Sequence, residues 1–233
     1  MKKVIFSIFL FMFSLSTMLA QESKHNQTDE KGYKQGFWKK YDEMGYVRYE
    51  GYFKDNIPVG EFKYYYPDGN IRVISKMFNE GKGSRSKLFH RNGKLMAEGK
   101  YFEQKKDSVW NYYSEHDGVL LSTEIYVETL KQGVWKNFYP DGIVAEEFFY
   151  ENDVRQGIWK QYFTDATIKL EGLYLNDHRE GFFRIYHPNG QIEVSGVYHN
   201  DLKNGLWVEF DEQGKKLKEE EYKMGKLISE TKY

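Results

Sequence analysis

A glycine-led unit of about two dozen residues recurs eight times along the chain, and this period constrains the fold more than any other feature. Successive units begin 24 residues apart, except for one step of 25 residues. Self-similarity at such a period is typical of an array in which each unit packs mainly on its neighbours. The opening positions are Gly36, Gly60, Ser84, Ser108, Gly133, Gly157, Gly181 and Gly205.

Large side chains recur at fixed offsets inside each unit. An aromatic stands five residues after every opening position, and Tyr, Phe or Met ends every unit. All five tryptophans of the chain stand two residues after an opening position. The residues at that offset are Trp38, Phe62, Ser86, Trp110, Trp135, Trp159, Phe183 and Trp207.

The middle of each unit predicts a tight turn between two strands. Pro sets the first corner in 66–69, 139–142 and 187–190, Asp or Asn suits the second, and Gly takes the left-handed position. A three-residue loop of this kind fixes the register of a hairpin. It places an aromatic opposite an aliphatic residue, which is a favourable cross-strand pair. The predicted pairs are Tyr41 with Val47, Tyr65 with Ile71, Phe89 with Leu95, Phe138 with Val144, Tyr162 with Ile168, and Tyr186 with Ile192.

The sequence therefore predicts an all-β fold. We expect an elongated repeat array of antiparallel β-hairpins, with about eight 24-residue units in a single meandering, twisted sheet. Polar connecting loops are predicted between hairpins, as at Asn152-Asp153, and residues 226–233 are predicted to add a closing strand. The tryptophan offset and the next aromatic offset differ by three, so a flat strand sends them to opposite faces unless a bulge intervenes. We expect one aromatic face to be mostly covered and the other to be partly exposed.

The N-terminus predicts a signal peptide over residues 1–20. Two lysines precede an apolar run over 4–15, and small residues follow up to Ala20, the expected cleavage site; a retained anchor is the alternative. Residues 21–35 are predicted to be a flexible polar leader, and 36–233 to be the repeat domain with its C-terminal capping strand. We therefore expect export to the periplasm, the cell envelope or the extracellular space. Membrane contact is expected only through the signal peptide or weak surface association. The chain has no cysteine, which excludes disulfides and a cysteine-linked lipid anchor.

No catalytic constellation stands out, so we expect a protein that is not an enzyme, with no catalytic residue, cofactor or metal. The six histidines form no short-spaced ligand pair, and the Ser-x-x-Lys motif at Ser84–Lys87 lacks its companion motifs. The net charge is −1, and we read the basic residues as balanced along the chain, which predicts no nucleic-acid partner. Basic residues at one offset and glutamates of the second strand predict a solvated ladder of opposite charges, or alternatively a basic stripe for an acidic partner. The ladder residues are Lys39, Lys63, Lys87, Lys136, Lys160 and Arg184, with Glu50, Glu98, Glu147, Glu171 and Glu219.

The pattern resembles the MORN-repeat variant found in bacteria. It reads Gly-x-Trp-Lys-x-Tyr, then Pro-Asp-Gly, an aliphatic, Glu-Gly-x-Tyr and Asn-Asp, and residues 157–177 carry it best. The resemblance extends over about 33–233; the unit at Ser84 departs from it by lacking both the Gly and the Trp, and the unit at Ser108 has one extra turn residue. Similar proteins are grouped as the YwqK family of antitoxins, and MORN repeats at large are linked to protein contacts and membrane lipids.

Two functions follow as hypotheses. The first is an exported, non-enzymatic repeat scaffold that binds another protein, with a toxin as one candidate partner in an antitoxin-like or immunity-like role. The alternative is a cell-wall or glycan-binding protein of the envelope, in which regularly spaced Trp and Tyr rings, such as Trp110 and Trp159, stack on sugars. The sequence leaves the binding residues unknown.

Overall fold

The computed structural model describes residues 25–233, and over this range the chain forms strands and tight turns with no helix. Accordingly, nothing in 25–233 is a helix long and apolar enough to cross a membrane. The predicted signal peptide lies outside the described residues. The strands are β1 (Gln27–Thr28), β2 (Lys34–Tyr41), β3 (Val47–Lys54), β4 (Ile57–Tyr65), β5 (Ile71–Phe78), β6 (Gly83–Phe89), β7 (Leu95–Phe102), β8 (Lys105–Tyr113), β9 (Leu120–Val127), β10 (Leu130–Lys131), β11 (Gly133–Phe138), β12 (Val144–Glu151), β13 (Val154–Arg155), β14 (Gly157–Tyr162), β15 (Ile168–Leu175), β16 (His178–Tyr186), β17 (Ile192–His199), β18 (Leu202–Phe210), β19 (Lys216–Lys223) and β20 (Lys226–Lys232).

The strands form one open antiparallel meander in which each strand pairs with the strands next to it in the chain. The short strands β10 and β13 continue into β11 and β14 after single-residue breaks at Gln132 and Gln156. β20 pairs with β19 and ends the sheet, as predicted for the closing strand. The predicted all-β hairpin array is confirmed.

Inside each hairpin the predicted register is confirmed. Tyr65 lies opposite Ile71, and all five other predicted aromatic–aliphatic pairs occur in the same way. The turn glycine explains this register: Gly69 has φ +87° and donates its N–H to the carbonyl of Tyr66 at 3.0 Å. A left-handed residue at this place closes a three-residue hairpin loop.

Between hairpins the predicted polar loops are shorter than expected. Asn152 and Asp153 both have positive φ, 49° and 71°, and pairing resumes at Val154. Two consecutive residues at positive φ form the tight turn that matches strand twist, and Asn and Asp tolerate that conformation. The connection is therefore a two-residue turn rather than a loop that reaches the next opening glycine.

The opening glycine lies inside a strand, where it forms a bulge. Tyr52 pairs with Val59 and Glu50 pairs with Lys63, so β4 has two residues more than β3 between these pairs. Gly60 in this bulge has φ +69°, a conformation that favours glycine. Ser108 adopts φ +63° at the same place in its unit, which shows that the bulge persists without glycine there.

The two aromatic offsets lie on opposite faces of the sheet, and the tryptophan face is the buried one. We call it the core face and the other the outer face. Trp110 is completely buried, and its ring contacts Tyr101 edge-on at 4.8 Å between centroids. The tyrosines five residues into each unit point the other way, where Tyr65 donates its hydroxyl to Glu50 at 2.7 Å. The expected division into a covered and a partly exposed aromatic face is confirmed.

Burial of the core ring depends on a glycine in the neighbouring strand. A Cβ added to Gly99 would lie 2.3 Å from the ring of Trp110, so the indole packs flat on bare backbone. The buried rings of Phe62, Phe183 and Trp207 lie over glycines in the same way. Each of these glycines stands eleven residues before its ring: Gly51, Gly99, Gly172 and Gly196. Where Glu124 or Phe148 takes that place, Trp135 and Trp159 are only half-buried.

Ordered pairing begins before the predicted domain start at residue 36. β1 pairs with the first residues of β2 inside the segment assigned to the polar leader. The Asp29 carboxylate accepts the N–H groups of Lys31 and Tyr33, both at 2.9 Å, which closes the turn between the two strands. The leader residues from Gln27 onward thus extend the sheet edge.

Candidate interaction surface

A column of cations covers the rings of the core face. Lys131 lies 4.5 Å from the ring centre of Trp135 and 4.9 Å from that of Tyr150. Arg179 lies 4.1 Å from the ring of Tyr198. A cation over an aromatic face is attracted by the ring, and its alkyl stem covers apolar surface. The column stands two residues before the opening positions and comprises Lys34, Lys106, Lys131, Arg155, Arg179 and Lys203. Its repeated offset is visible in the sequence, but its contact with the rings is not.

The tryptophan column therefore belongs to the core. Trp110 and Trp207 are buried, at 0% and 4% exposure. The indole N–H of Trp110 donates to the carbonyl of Lys100 at 3.0 Å, so even its polar atom is satisfied internally. A row of exposed indoles, which the glycan hypothesis requires, is absent at these two positions. Trp159 is half-buried and stacks on Phe148 with an interplanar angle of 5°.

The predicted ladder of opposite charges lies on the outer face. Lys136 is 2.9 Å from Glu147 and Lys39 is 3.1 Å from Glu50, in each case across the hairpin. Burial raises the pKa of Glu50, but the Tyr65 hydroxyl and the Lys39 ammonium outweigh it and hold that pKa below its usual value. Burial and the Glu50 carboxylate together raise the pKa of Tyr65 to about 12. The two charges of each pair neutralise each other, which agrees with a solvated ladder of opposite charges.

A second row on the outer face has only partial charge compensation, from Glu61 opposite Lys76 and from Asp107 beside Lys100. It consists of the residue directly after each opening position and its cross-strand partner, and we call it the outer row. Its pairs, in chain order, are Phe37–Tyr52, Glu61–Lys76, Arg85–Lys100, Val109–Ile125, Val134–Phe149, Ile158–Leu173, Phe182–Val197 and Leu206–Glu221.

From Val109 to Leu206 the outer row is apolar and accessible. Six of its residues are 38% to 53% exposed, from Phe149 to Leu206, whereas Ile125, Leu173 and Phe182 are half-buried. At three of the four junctions between these hairpins, a Cβ built on the opening glycine lies close to a row residue: 3.3 Å from Ile125 at Gly133, 3.9 Å from Phe149 at Gly157 and 3.3 Å from Leu173 at Gly181. The strip is therefore closely packed across four hairpins, and Leu206 extends it beyond Gly205, where an added Cβ would have no neighbour within 4 Å.

The three strands directly before the apolar strip, β5 to β7, make the outer row basic. Arg85 pairs with Lys76 on one side and with Lys100 on the other. Lys100 contacts Asp107 at 2.9 Å, whereas Lys76 and Arg85 have no carboxylate within 4.0 Å among the described residues. Like charges directly opposite each other destabilise a sheet, and the Phe78 ring offsets part of this cost because Arg85 and Lys100 lie 5.4 Å and 5.9 Å from its centre.

The sequence around this basic segment corrects one expectation. Residues 72–106 contain ten Lys or Arg and three Glu, a net charge of +7, so the basic residues are not balanced along the chain. The even total conceals this excess, because acidic residues elsewhere offset it. The expectation that no nucleic acid binds loses this support and stays a prediction.

The residues considered for chemistry do not converge. Ser84 faces the core and hydrogen-bonds Ser86 at 3.0 Å, whereas Lys87 lies on the outer face beside Glu98. Across 25–233 no three His, Asp or Glu side chains lie close enough together to hold a metal ion. Three histidines in this range each lie beside a single carboxylate, as His178 does beside Asp201 at 2.8 Å.

The fold defines the chain as a repeat scaffold of stacked hairpins. Four hairpins match the family profile described as "MORN repeat variant", at residues 58–79, 131–152, 179–200 and 203–224. Each match begins two residues before an opening glycine and ends in the turn that follows its hairpin, so the family unit is one hairpin. The matches do not include the other four hairpins, of which the one at Ser84 also lacks the bulge.

No curated protein matches the chain. Among solved structures, one described as "Crystal Structure of TcdB2-TccC3-TEV" is 12% identical and covers 80% of this chain. This chain spans only 14% of that one, and the TM-score is 0.20, so the likeness carries no argument.

Proposed function

We propose that the protein is an exported, non-enzymatic scaffold that binds another protein through the apolar segment of the outer row. The observation that carries the proposal is the apolar strip from Val109 to Leu206, six of whose residues are exposed. Contiguous apolar patches above a few hundred Å² are uncommon on soluble monomers and mark interaction sites. Export rests on the signal-peptide pattern over residues 1–20.

The strip has the length of a protein interface. Nine strand positions from β8 to β18 lie about 4.8 Å apart, so the strip is about 40 Å long. A helix of about 25 residues spans that length at 1.5 Å per residue. A standard interface buries about 800 Å² per partner, which a 40 Å strip and its flanking charged ladder supply.

The basic segment indicates the charge of the partner. Lys76 and Arg85 lie in the same row as the apolar strip, directly before it. A partner that covers both presents apolar side chains followed by acidic ones. Complementary charge raises the association rate and fixes orientation more than it adds affinity, so binding is expected to weaken with salt.

The finer hypothesis, that the partner is a toxin, rests on the resemblance to YwqK-family antitoxins alone. An exported toxin with an acidic and apolar contact surface fits the outer row. We expect the wild-type chain to protect a toxin-exposed cell. We expect a variant with charged residues in the strip to lose that protection. Protection that survives the charged strip contradicts this assignment.

The test of protein binding introduces charge into the strip. Phe149→Lys and Ile158→Lys together place two ammonium groups at its centre, and Ile228→Lys adds one at an exposed apolar site in β20 outside the row. Pull-downs from envelope extract are compared by mass spectrometry, with circular dichroism to establish folding. We expect a protein that the wild type and the Ile228→Lys control retain and that the double variant loses.

Two results contradict the proposal. One is retention of the same partners by the double variant. The other is a homodimer of the wild type, seen by light scattering and lost in the double variant, because the strip then serves self-association.

A further inference from the structure

The third unit leaves a hollow on the core face where other units place a large ring. Ser86 stands at the tryptophan offset, and Ser75 stands eleven residues before it, where glycine underlies the buried rings. A cavity of about 340 Å³ opens over these two residues. It lies at the small end of ligand pockets, which span about 300–1,000 Å³, and so fits one substituted ring. We call it the serine pocket.

The local backbone explains why the pocket is open. β5 and β6 pair without the bulge of the other units, from Val73–Leu88 to Phe78–Gly83. The two extra residues lie instead in a four-residue turn, 79–82. An aromatic ring at position 86 would not pack flat on the sheet, because the neighbouring strand has the Ser75 side chain at the place that Gly99 occupies under Trp110.

The floor of the pocket is built of hydroxyl groups. Ser75, Ser84 and Ser86 are at most 9% exposed. Ser86 lies 2.8 Å from the Ser75 hydroxyl and 3.0 Å from the Ser84 hydroxyl, so the three oxygens form a chain. Two hydrogen bonds use two of the three protons, and one proton and several lone pairs stay available. An all-carbon ring above them leaves a buried donor unpaired, which costs about 1–3 kcal/mol.

The walls add aromatic surface and further hydroxyls. Tyr64 and Tyr101 line the pocket, with Met77 and Leu88 between them. Neither phenol oxygen bonds to a protein group within the described part of the chain, unlike that of Tyr65. Tyrosine faces suit the C–H edges of a sugar, and hydroxyls both donate to and accept from its hydroxyls.

The rim is cationic. Lys82 and Arg72 line the pocket, which has no Asp or Glu among its lining residues. Lys82 occupies the offset of the cation column, but among residues 25–233 no ring lies within reach of its ammonium, whereas Lys106 lies 5.0 Å from the ring of Trp110. An anionic substituent on the bound ring supplies the missing counter-charge.

We propose that the serine pocket binds a single sugar ring that carries a carboxylate, of the uronic acid class. The ring stacks between the tyrosine walls, its hydroxyls complete the serine chain, and its carboxylate meets Lys82. This site lies on the core face, opposite the outer row, so it is independent of the proposed protein-binding function. It also moves the glycan hypothesis from the tryptophan column to Ser86, the one position of that column without an aromatic ring.

Calorimetric titration of the full chain with sodium glucuronate tests the proposal. Glucose, sodium acetate and indole are titrated in parallel. We expect saturable glucuronate binding, at least tenfold weaker glucose binding, and no saturable binding of acetate or indole. A polygalacturonate sedimentation arm shows whether the pocket takes a ring within a polymer or only the free sugar.

The decisive variant restores the repeat's own ring. Ser75→Gly with Ser86→Trp fills the pocket from inside, and glucuronate binding is expected to vanish while the circular dichroism spectrum is kept. Ser75→Ala with Ser86→Ala removes only hydroxyls and is expected to weaken binding at least tenfold, which keeps the test valid if the first variant misfolds. Arg85→Ala, on the outer face of the same strand, is the matched control and is expected to bind as the wild type does.

The proposal is overturned if the wild type binds no sugar, if indole binds instead, or if binding survives the filled pocket. Loss of binding in Arg85→Ala also overturns it, because the anion then binds the outer basic segment. Equal binding of glucose overturns the role given to Lys82.

Discussion

Gly99→Ala is the sharpest test of how this sheet holds its core. The added methyl lies 2.3 Å from the indole of Trp110, a residue with no exposed surface, so the ring must move. Overpacking a core costs about 1–3 kcal/mol, and complete loss of a buried Trp costs about 3–5 kcal/mol. We expect Gly99→Ala to lower the free energy of unfolding by about 2–4 kcal/mol. At Gly172 the same methyl meets the Phe183 ring only at 3.3 Å, so Gly172→Ala is expected to lower it by about 1 kcal/mol.

Urea denaturation followed by circular dichroism measures both variants. The cause is isolated by a double-mutant cycle, in which Gly99→Ala is repeated in the Trp110→Ala background. Without the indole the methyl has space, so the second cost is expected to fall below about 0.5 kcal/mol. An equal cost in both backgrounds would falsify the ring-on-glycine explanation.

Three further predictions follow from single positions. Ala166 has φ +66°, where its turn counterparts are glycines, so Ala166→Gly is expected to stabilise the fold by up to about 1 kcal/mol, and Gly142→Ala to destabilise it by a similar amount in the same denaturation assay. Arg85→Glu turns two like-charge pairs into opposite-charge pairs but removes the cation that lies 5.4 Å from the Phe78 ring, so it is expected to change stability by less than about 0.5 kcal/mol while weakening partner capture; unchanged partner capture contradicts the account of the basic segment. Alkaline pH is expected to destabilise the fold between about pH 10 and 12, because a raised folded-state pKa gives stability that is present below the unfolded value and lost as pH rises through the folded one. The tyrosines concerned are Tyr65, Tyr113 and Tyr162, whose pKa is raised to about 12. An absorbance titration is expected to show phenols that ionise only near pH 12. Unchanged stability up to that pH would contradict the prediction.

The hairpins were predictable because local chemistry alone decides them. The Pro-Asp-Gly turn at 66–69 allows one loop geometry, and that geometry sets the pairing of Tyr65 with Ile71. The closing strand occurs as predicted, and it corresponds to the first strand of a hairpin, because Gly225 lies with Met224 in a two-residue turn as Asp201 does with Asn200.

The bulge at Gly60 was not predictable from the pattern. A glycine at the head of a unit suits a loop as well as a bulge, and only the pairing of Tyr52 with Val59 separates the two. This bulge also explains why the connecting turns are only two residues long, since pairing starts before the glycine is reached.

The outer row could not be predicted from the sequence, because each of its residues taken singly is a common strand residue. Val134 and Ile158 are unremarkable strand residues, and only the register shows that they and Phe149 share an exposed face. The basic segment, in contrast, could have been predicted, because the excess of positive charge over residues 72–106 is visible in the sequence. The serine pocket was predictable only in part. The sequence shows that Ser86 replaces the tryptophan, but the pocket also depends on Ser75, which only the strand pairing places beside it.

The most direct measurement for the central claim is site-specific photo-crosslinking in intact cells. A crosslinking amino acid replaces Phe149 in the outer row, and Ile228 outside the row in a parallel strain. The account predicts a discrete crosslinked protein from position 149 and none from position 228. No product at position 149, or the same products from both positions, contradicts a docking surface on the outer row.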